Sequence, residues 1–145
     1  MTEHASGEIN INSKMSKVLE ILLELDEYPS WIQDIISIDV HSRDSQGRAI
    51  LATMKTNAMG RSIEQTYQYS YDNYPSEISW KFIKGDMVSS LIGSYKLEQL
   101  NNDEVKVIYN LDIDLTSSLP GFIKRKAAQK IVDSALKNLK QISEK

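Results

Sequence analysis

Between Ile36 and Leu115 apolar side chains return at every second position, run after run, and no other feature of the sequence limits the fold as much. The last run shows it most plainly: Val105, Val107, Tyr109, Leu111, Ile113 and Leu115 alternate with Lys106, Ile108, Asn110, Asp112 and Asp114. A period of two puts one set on each face of a β-strand. The same pattern holds Ile36, Ile38 and Val40 together, then Ile50, Ala52, Met54 and Thr56 after the "RDSQGR" turn, then Ile63, Tyr67, Tyr69 and Tyr71 after "NAMGR". "EISWKF" groups Ile78, Trp80 and Phe82, and after "KGD" come Leu91, Gly93, Tyr95 and Leu97. With Ile9 and Ile11 of "GEININ" as a short opening strand, about seven antiparallel strands are predicted, each with one apolar face. Such a sheet needs a cover on one side only.

The cover must be helical. "SKMSKVLEILLELDEY" repeats Met15, Val18, Leu19, Leu22 and Leu23 at three- and four-residue spacing, with Ser13 or Ser16 available as N-cap. Pro29 disfavours helical geometry at Tyr28 and closes this helix or starts a new turn. The last 27 residues, "LPGFIKRKAAQKIVDSALKNLKQISEK", place Pro120 at a helix entry. Ile123, Ala127, Ala128, Ile131, Ala135, Leu136, Leu139 and Ile142 then form an apolar stripe over about six turns. The order is strand, helix, about six strands, long helix, an α+β arrangement. At 145 residues the chain is read as one domain spanning 1–145, with residues 1–6 a flexible leader.

The apolar faces are unusually rich in tyrosine. A dry core is built chiefly from Leu, Ile and Val, whereas a buried Tyr needs a partner for its hydroxyl and suits a place where one end of the ring meets water or ligand. Two readings follow: an apolar chamber with a few polar handles, or rings that fill the space between a curved sheet and a helix. The chain has no cysteine, which excludes disulfides, thiolate metal sites and Cys nucleophiles. His4 lies in the polar leader and His41 at the end of a strand, so both read as surface residues, and neither a metal site nor a cofactor is expected. No stretch approaches the roughly 20 apolar residues that span a bilayer, and the start lacks the pattern of a signal peptide, which predicts a cytoplasmic protein. The net charge of −3 is unevenly spread: residues 121–145 carry +5, leaving −8 elsewhere. Nucleic acid is therefore not the expected main partner, while the basic end is either a solvated flank or a docking face.

Three motifs carry a family resemblance. "ELDEYPSW" follows the first helix, "GSYKLEQL" lies in the sixth strand, and "LPGFIKR" leads into the last helix. With these the chain, from about Gly7 to Leu139, resembles the START-like (SRPBCC) superfamily, which includes polyketide cyclase/dehydrase, lipid-transport and coenzyme Q-binding proteins. Glu24 stands where those members commonly have Asp, and Tyr28, Pro29 and Trp31 match their Tyr-Pro-x-Trp. Tyr95 stands where many have Trp, and Asp103 and Glu104 replace a common Gly-Thr. The resemblance implies a helix-grip fold: a bent antiparallel sheet wrapped around the C-terminal helix, two short helices after the first strand, and a ligand chamber between sheet and helix. It also implies that the rings of Tyr28 and Trp31 seal one end of the sheet.

The leading functional expectation is binding or transport of a hydrophobic small molecule such as a lipid, isoprenoid quinone or polyketide. Its expected lining is Met54, Tyr67, Tyr69, Trp80, Phe82, Tyr95 and Tyr109 from the sheet, with Phe122, Ile123 and Ala127 from the helix. Met59, Gly60, Gly85 and Met87 are expected at the mouth, where glycine turns the backbone sharply and methionine offers adaptable contact. An aromatase/cyclase-like enzyme is the alternative. It would need acid–base groups inside, yet the inward positions offer Tyr hydroxyls and Thr56, while Glu64, Asp112 and Asp114 fall on the outward phase. A third reading is an interaction protein whose basic C-terminal helix docks on a ribosome or an anionic membrane.

Overall fold

The structure, a computed structural model, describes residues 2–58, 60–116 and 118–145. Strand β1 (Glu3–Ile11) is followed by helix α1 (Met15–Leu23), a 3-10 turn at Leu25–Glu27 and the short helix α2 (Tyr28–Trp31). Six strands then run in series: β2 (Ile35–Arg43), β3 (Ala49–Ala58), β4 (Arg61–Ser70), β5 (Glu77–Gly85), β6 (Val88–Asn101) and β7 (Glu104–Leu115). Helix α3 (Gly121–Ser143) ends the chain. All seven strands join one curved antiparallel sheet in the order β1-β7-β6-β5-β4-β3-β2, so the first strand returns to pair with the last.

The period-two pattern explains the register. In β7, Val105, Val107, Tyr109, Leu111 and Ile113 are all buried, and each faces the same side as its partners in β1 and β6. Helix α3 lies across β1 and β7 on that side and also touches α1 and α2. Gln129 donates to the Ser6 carbonyl at 3.0 Å and Lys140 to that of Asn10 at 2.8 Å, fixing the helix along the edge strand. The side chains of β3 to β6 line the other half of the concave face.

Three sequence expectations change. Residues 3–6 are not a flexible leader: they are paired, residue by residue, with 110–113 of β7, because edge-strand hydrogen bonds order a segment whose side chains alone would not. The buried line of α3 runs through Ala128, Val132, Ala135, Leu136, Leu139 and Ser143. Ile123 and Ile131, assigned to that line from their apolar character, are exposed, since the sheet takes only a narrow strip of a helix this long. Tyr28 is helical (φ −53°, ψ −39°) despite preceding Pro29. Its buried hydroxyl donates to the Leu22 carbonyl, one of the last in α1, and tertiary contact overrides the local bias. Pro29 itself sits in the first turn of α2, where a missing N–H is harmless.

Candidate functional site

The site begins with a glycine. Gly93 on β6 faces Trp80 on β5, and a Cβ at Gly93 would lie 2.5–2.6 Å from three atoms of the indole. Trp80 therefore lies against bare backbone, a position no larger residue could offer it. Around it stand Tyr95 at 5.3 Å, Tyr109 at 5.6 Å and Tyr69 at 6.0 Å between ring centroids, while Tyr95 and Tyr109 meet edge to face at 4.8 Å. Each pair is set by register: Tyr69 faces Trp80, Tyr95 faces Tyr109, and Tyr67 faces Phe82 with centroids 6.1 Å apart. The alternation along four neighbouring strands thus assembles one aromatic surface on the concave side.

The hydroxyls divide into two groups. Tyr28 donates to the Leu22 carbonyl, Tyr71 to the Ala49 carbonyl at 2.6 Å, and Tyr67 to the Gln65 side-chain oxygen. The hydroxyls of Tyr69, Tyr95 and Tyr109 donate to no group among the described residues, although these residues are only 7%, 4% and 5% exposed. Nor are they sealed in: among the described residues, the enclosed side-chain polar atoms without a partner are Trp31 Nε1 and Ser143 Oγ. The three phenol oxygens therefore keep some accessibility although their residues are nearly buried.

Burial raises the pKa of Tyr67, Tyr69, Tyr95 and Tyr109 well above the ordinary phenol value, with mutual repulsion among the ring oxygens adding to it for the first three. Tyr71 is pushed up to about 12 by burial, with Asp44 adding and Arg48 opposing. At neutral pH these groups are uncharged donors.

Of the expected lining residues, Tyr67, Tyr69, Tyr95 and Tyr109 are buried, and Met54, Trp80 and Phe82 are half-buried against the same core. Ala127 is half-buried, but Phe122 and Ile123 differ from expectation: they are 57% and 36% exposed, turned away from the buried line of α3. At the expected mouth, Gly60 (φ +81°) and Gly85 (φ +143°) both occupy conformations that favour glycine, and Met87 adopts φ +64° without that freedom. Met59 lies outside the described residues. Two surface clefts, of about 500 and 390 Å³, are lined by residues such as Lys14, Gln99 and Asn102, or Asn73, Glu77 and Lys96, and include none of the expected lining.

Sequence reasoning missed two polar groups on the concave side. Gln65 is buried, accepts from Tyr67 and donates to the Asp86 carbonyl at 3.0 Å, so it ties the β5–β6 turn to the aromatic face. The alternation through Ile63 and Tyr67 already placed it inward. Glu3 is also buried, on the face shared with Ala5 and opposite Ile113, and no side-chain hydrogen bond or ion pair reaches its carboxylate among the described residues. The supposed leader hid it. His4 and Asp112 pair on the outer face at 2.6 Å, and among the described residues no three His, Asp or Glu side chains are grouped to hold a metal.

A bent seven-stranded antiparallel sheet gripping a long C-terminal helix defines the helix-grip class of fold. The sequence profile described as "Polyketide cyclase / dehydrase and lipid transport" matches residues 2–144, and the chain belongs to that family. Among solved structures it is similar to a START superfamily protein from Mycobacterium smegmatis, with 18% identity, a TM-score of 0.91 and coverage of 97% of both chains. It is also similar to the ZhuI aromatase/cyclase of a Streptomyces species, with 11% identity, a TM-score of 0.79 and coverage of 99% of this chain and 94% of that one. A Thermus thermophilus protein shares 20% identity over 95% of this chain and 94% of its own, at a TM-score of 0.79. Identities this low establish a common fold and nothing finer. No curated protein matches the sequence.

Proposed function

We propose that the protein binds and carries a hydrophobic small molecule bearing neutral oxygen atoms, in a chamber between α3 and the concave face of β3 to β7. A lipid, an isoprenoid quinone or a polyketide has the required character. One observation supports the reading: the hydroxyls of Tyr69, Tyr95 and Tyr109, residues grouped with Trp80 and only 7%, 4% and 5% exposed, donate to no protein group among the described residues. Donors on nearly buried rings that make no protein hydrogen bond are available to a guest oxygen, which would take the place of water there. Because burial keeps the phenols protonated, they match a carbonyl, ether or hydroxyl oxygen, while the surrounding rings match an apolar or planar body.

The cyclase-type alternative needs a proton-transfer group beside the guest. Asp112 and Glu64 are exposed, and enclosed Glu3 faces Ile113, whereas Tyr109 faces Gly7 further along the same strand pair. The carrier reading is therefore favoured. Organic extracts of the purified protein, compared by mass spectrometry with those of a Trp80→Ala/Tyr109→Ala variant, test it. An oxygenated apolar compound present in stoichiometric amount only in the parent is expected. Extracts of the parent with no such compound, together with no uptake of added quinone or lipid, would overturn it.

A further inference from the structure

Helix α3 exposes apolar side chains that the fold does not use. Phe122, Ile123 and Ile131 are 57%, 36% and 44% exposed, and all lie in its first half. Between them stand Arg125, Lys126 and Lys130, all exposed, and none is in an ion pair among the described residues. From Gly121 to Val132 the helix has no acidic residue. A solvated flank accounts for the cations but not for a protruding Phe and two Ile interleaved with them.

We infer that the face of α3 bearing Phe122, Ile123, Lys126 and Lys130, which lie within about 100° of one another around the helix axis, docks on the anionic surface of a lipid bilayer, the apolar side chains entering the headgroup boundary and the cations meeting lipid phosphates. Charge complementarity selects the partner: a cationic face on a chain whose remaining surface is acidic adheres to a flat anionic surface through that face alone. The apolar pair favours a bilayer over RNA, because Phe122 and aliphatic Ile123 both gain from a hydrocarbon boundary whereas Phe122 alone offers a base a stacking surface. The start of α3 is also tied to the rim of the sheet. Lys124 donates to the Leu115 carbonyl at 3.3 Å, and the Thr116 N–H donates to the Met87 carbonyl at 3.0 Å. Docking here brings the β5–β6 turn, expected at the chamber mouth, toward the lipid.

The inference rests on the surface of α3 and is separable from the carrier reading. Flotation with vesicles of phosphatidylcholine alone, and of phosphatidylcholine mixed with phosphatidylglycerol, tests it at low and high salt. Binding to the mixed vesicles only, weakening as salt rises, is expected. Lys126→Glu with Lys130→Glu should weaken it at least about tenfold, each cation contributing about fivefold. Phe122→Ser with Ile123→Ser should weaken it at every salt concentration. Circular dichroism and tryptophan emission identical to the parent's would show that both variants remain folded. Equal binding to both vesicle types, no binding to either, variants that bind like the parent, or tighter binding to RNA than to the mixed vesicles would each overturn the proposal. Variants that lose vesicle binding but still take up an added quinone would leave the carrier reading intact.

Discussion

Gly93→Ala inserts a methyl carbon 2.5 Å from the Trp80 ring, where ordinary contact begins at 3.4 Å, so the indole must retreat by about an ångström. It cannot do so freely, because Tyr95, Tyr109 and Tyr69 stand 5.3, 5.6 and 6.0 Å away, centroid to centroid. Forcing a methylene-sized group into a packed site costs about 1–3 kcal/mol, and each disturbed aromatic pair about 0.5–1.5 kcal/mol. Against this, alanine is favoured over glycine within a strand by about 0.5–1 kcal/mol. The net expectation is a loss of about 2 kcal/mol, seen as a fall in Tm of about 6–8 °C for a chain of this size. Thermal unfolding followed by circular dichroism measures the stability, and tryptophan emission reports whether Trp80 has moved. A Gly93→Ala protein as stable as the parent, with unchanged emission, would refute the idea that bare backbone at this position seats the indole.

Tyr28→Phe removes the bond that satisfies the Leu22 carbonyl at the end of α1, and chemical denaturation should show a loss of about 1–2 kcal/mol. Gln65→Leu strands both the Tyr67 hydroxyl and the Asp86 carbonyl, so it should cost about 1–3 kcal/mol and speed hydrogen exchange at Asp86 and Met87. Folding raises the pKa of six phenols, those of Tyr28, Tyr67, Tyr69, Tyr71, Tyr95 and Tyr109. The unfolded chain therefore loses these protons first, and stability, full below about pH 10, should fall as pH rises beyond it. Ultraviolet titration of the folded protein should accordingly show most tyrosinate appearing only with unfolding. Six phenols ionising near pH 10 in the folded state would contradict the burial.

The sheet was legible because its signal is redundant. Along β7 both the apolar and the polar set keep step, and a strand buried on one face can produce that pattern only in one register. The aromatic face was legible for the same reason: Tyr67, Tyr69, Trp80, Tyr95 and Tyr109 share a phase on adjacent strands. What escaped depended on contacts beyond the local pattern. The order of residues 3–6 comes from pairing with β7, which leaves no mark on a segment reading Glu-His-Ala-Ser. In α3, Ile131 and Val132 are equally apolar neighbours, and only the angle at which the helix crosses β1 and β7 decides that Val132 is enclosed and Ile131 is not. The Gly93 contact with Trp80 required the pairing register, which turns and alternation alone do not specify.

Saturable quenching of tryptophan emission by menadione, an apolar dione, tests the chamber most directly. The parent should bind it, and Tyr95→Phe with Tyr109→Phe, which keeps both rings and removes two donors, should bind about tenfold or more weakly while unfolding at a similar temperature. Quenching that never saturates, or equal affinity in parent and double variant, would contradict the assignment of the phenol hydroxyls as the handles that hold a guest.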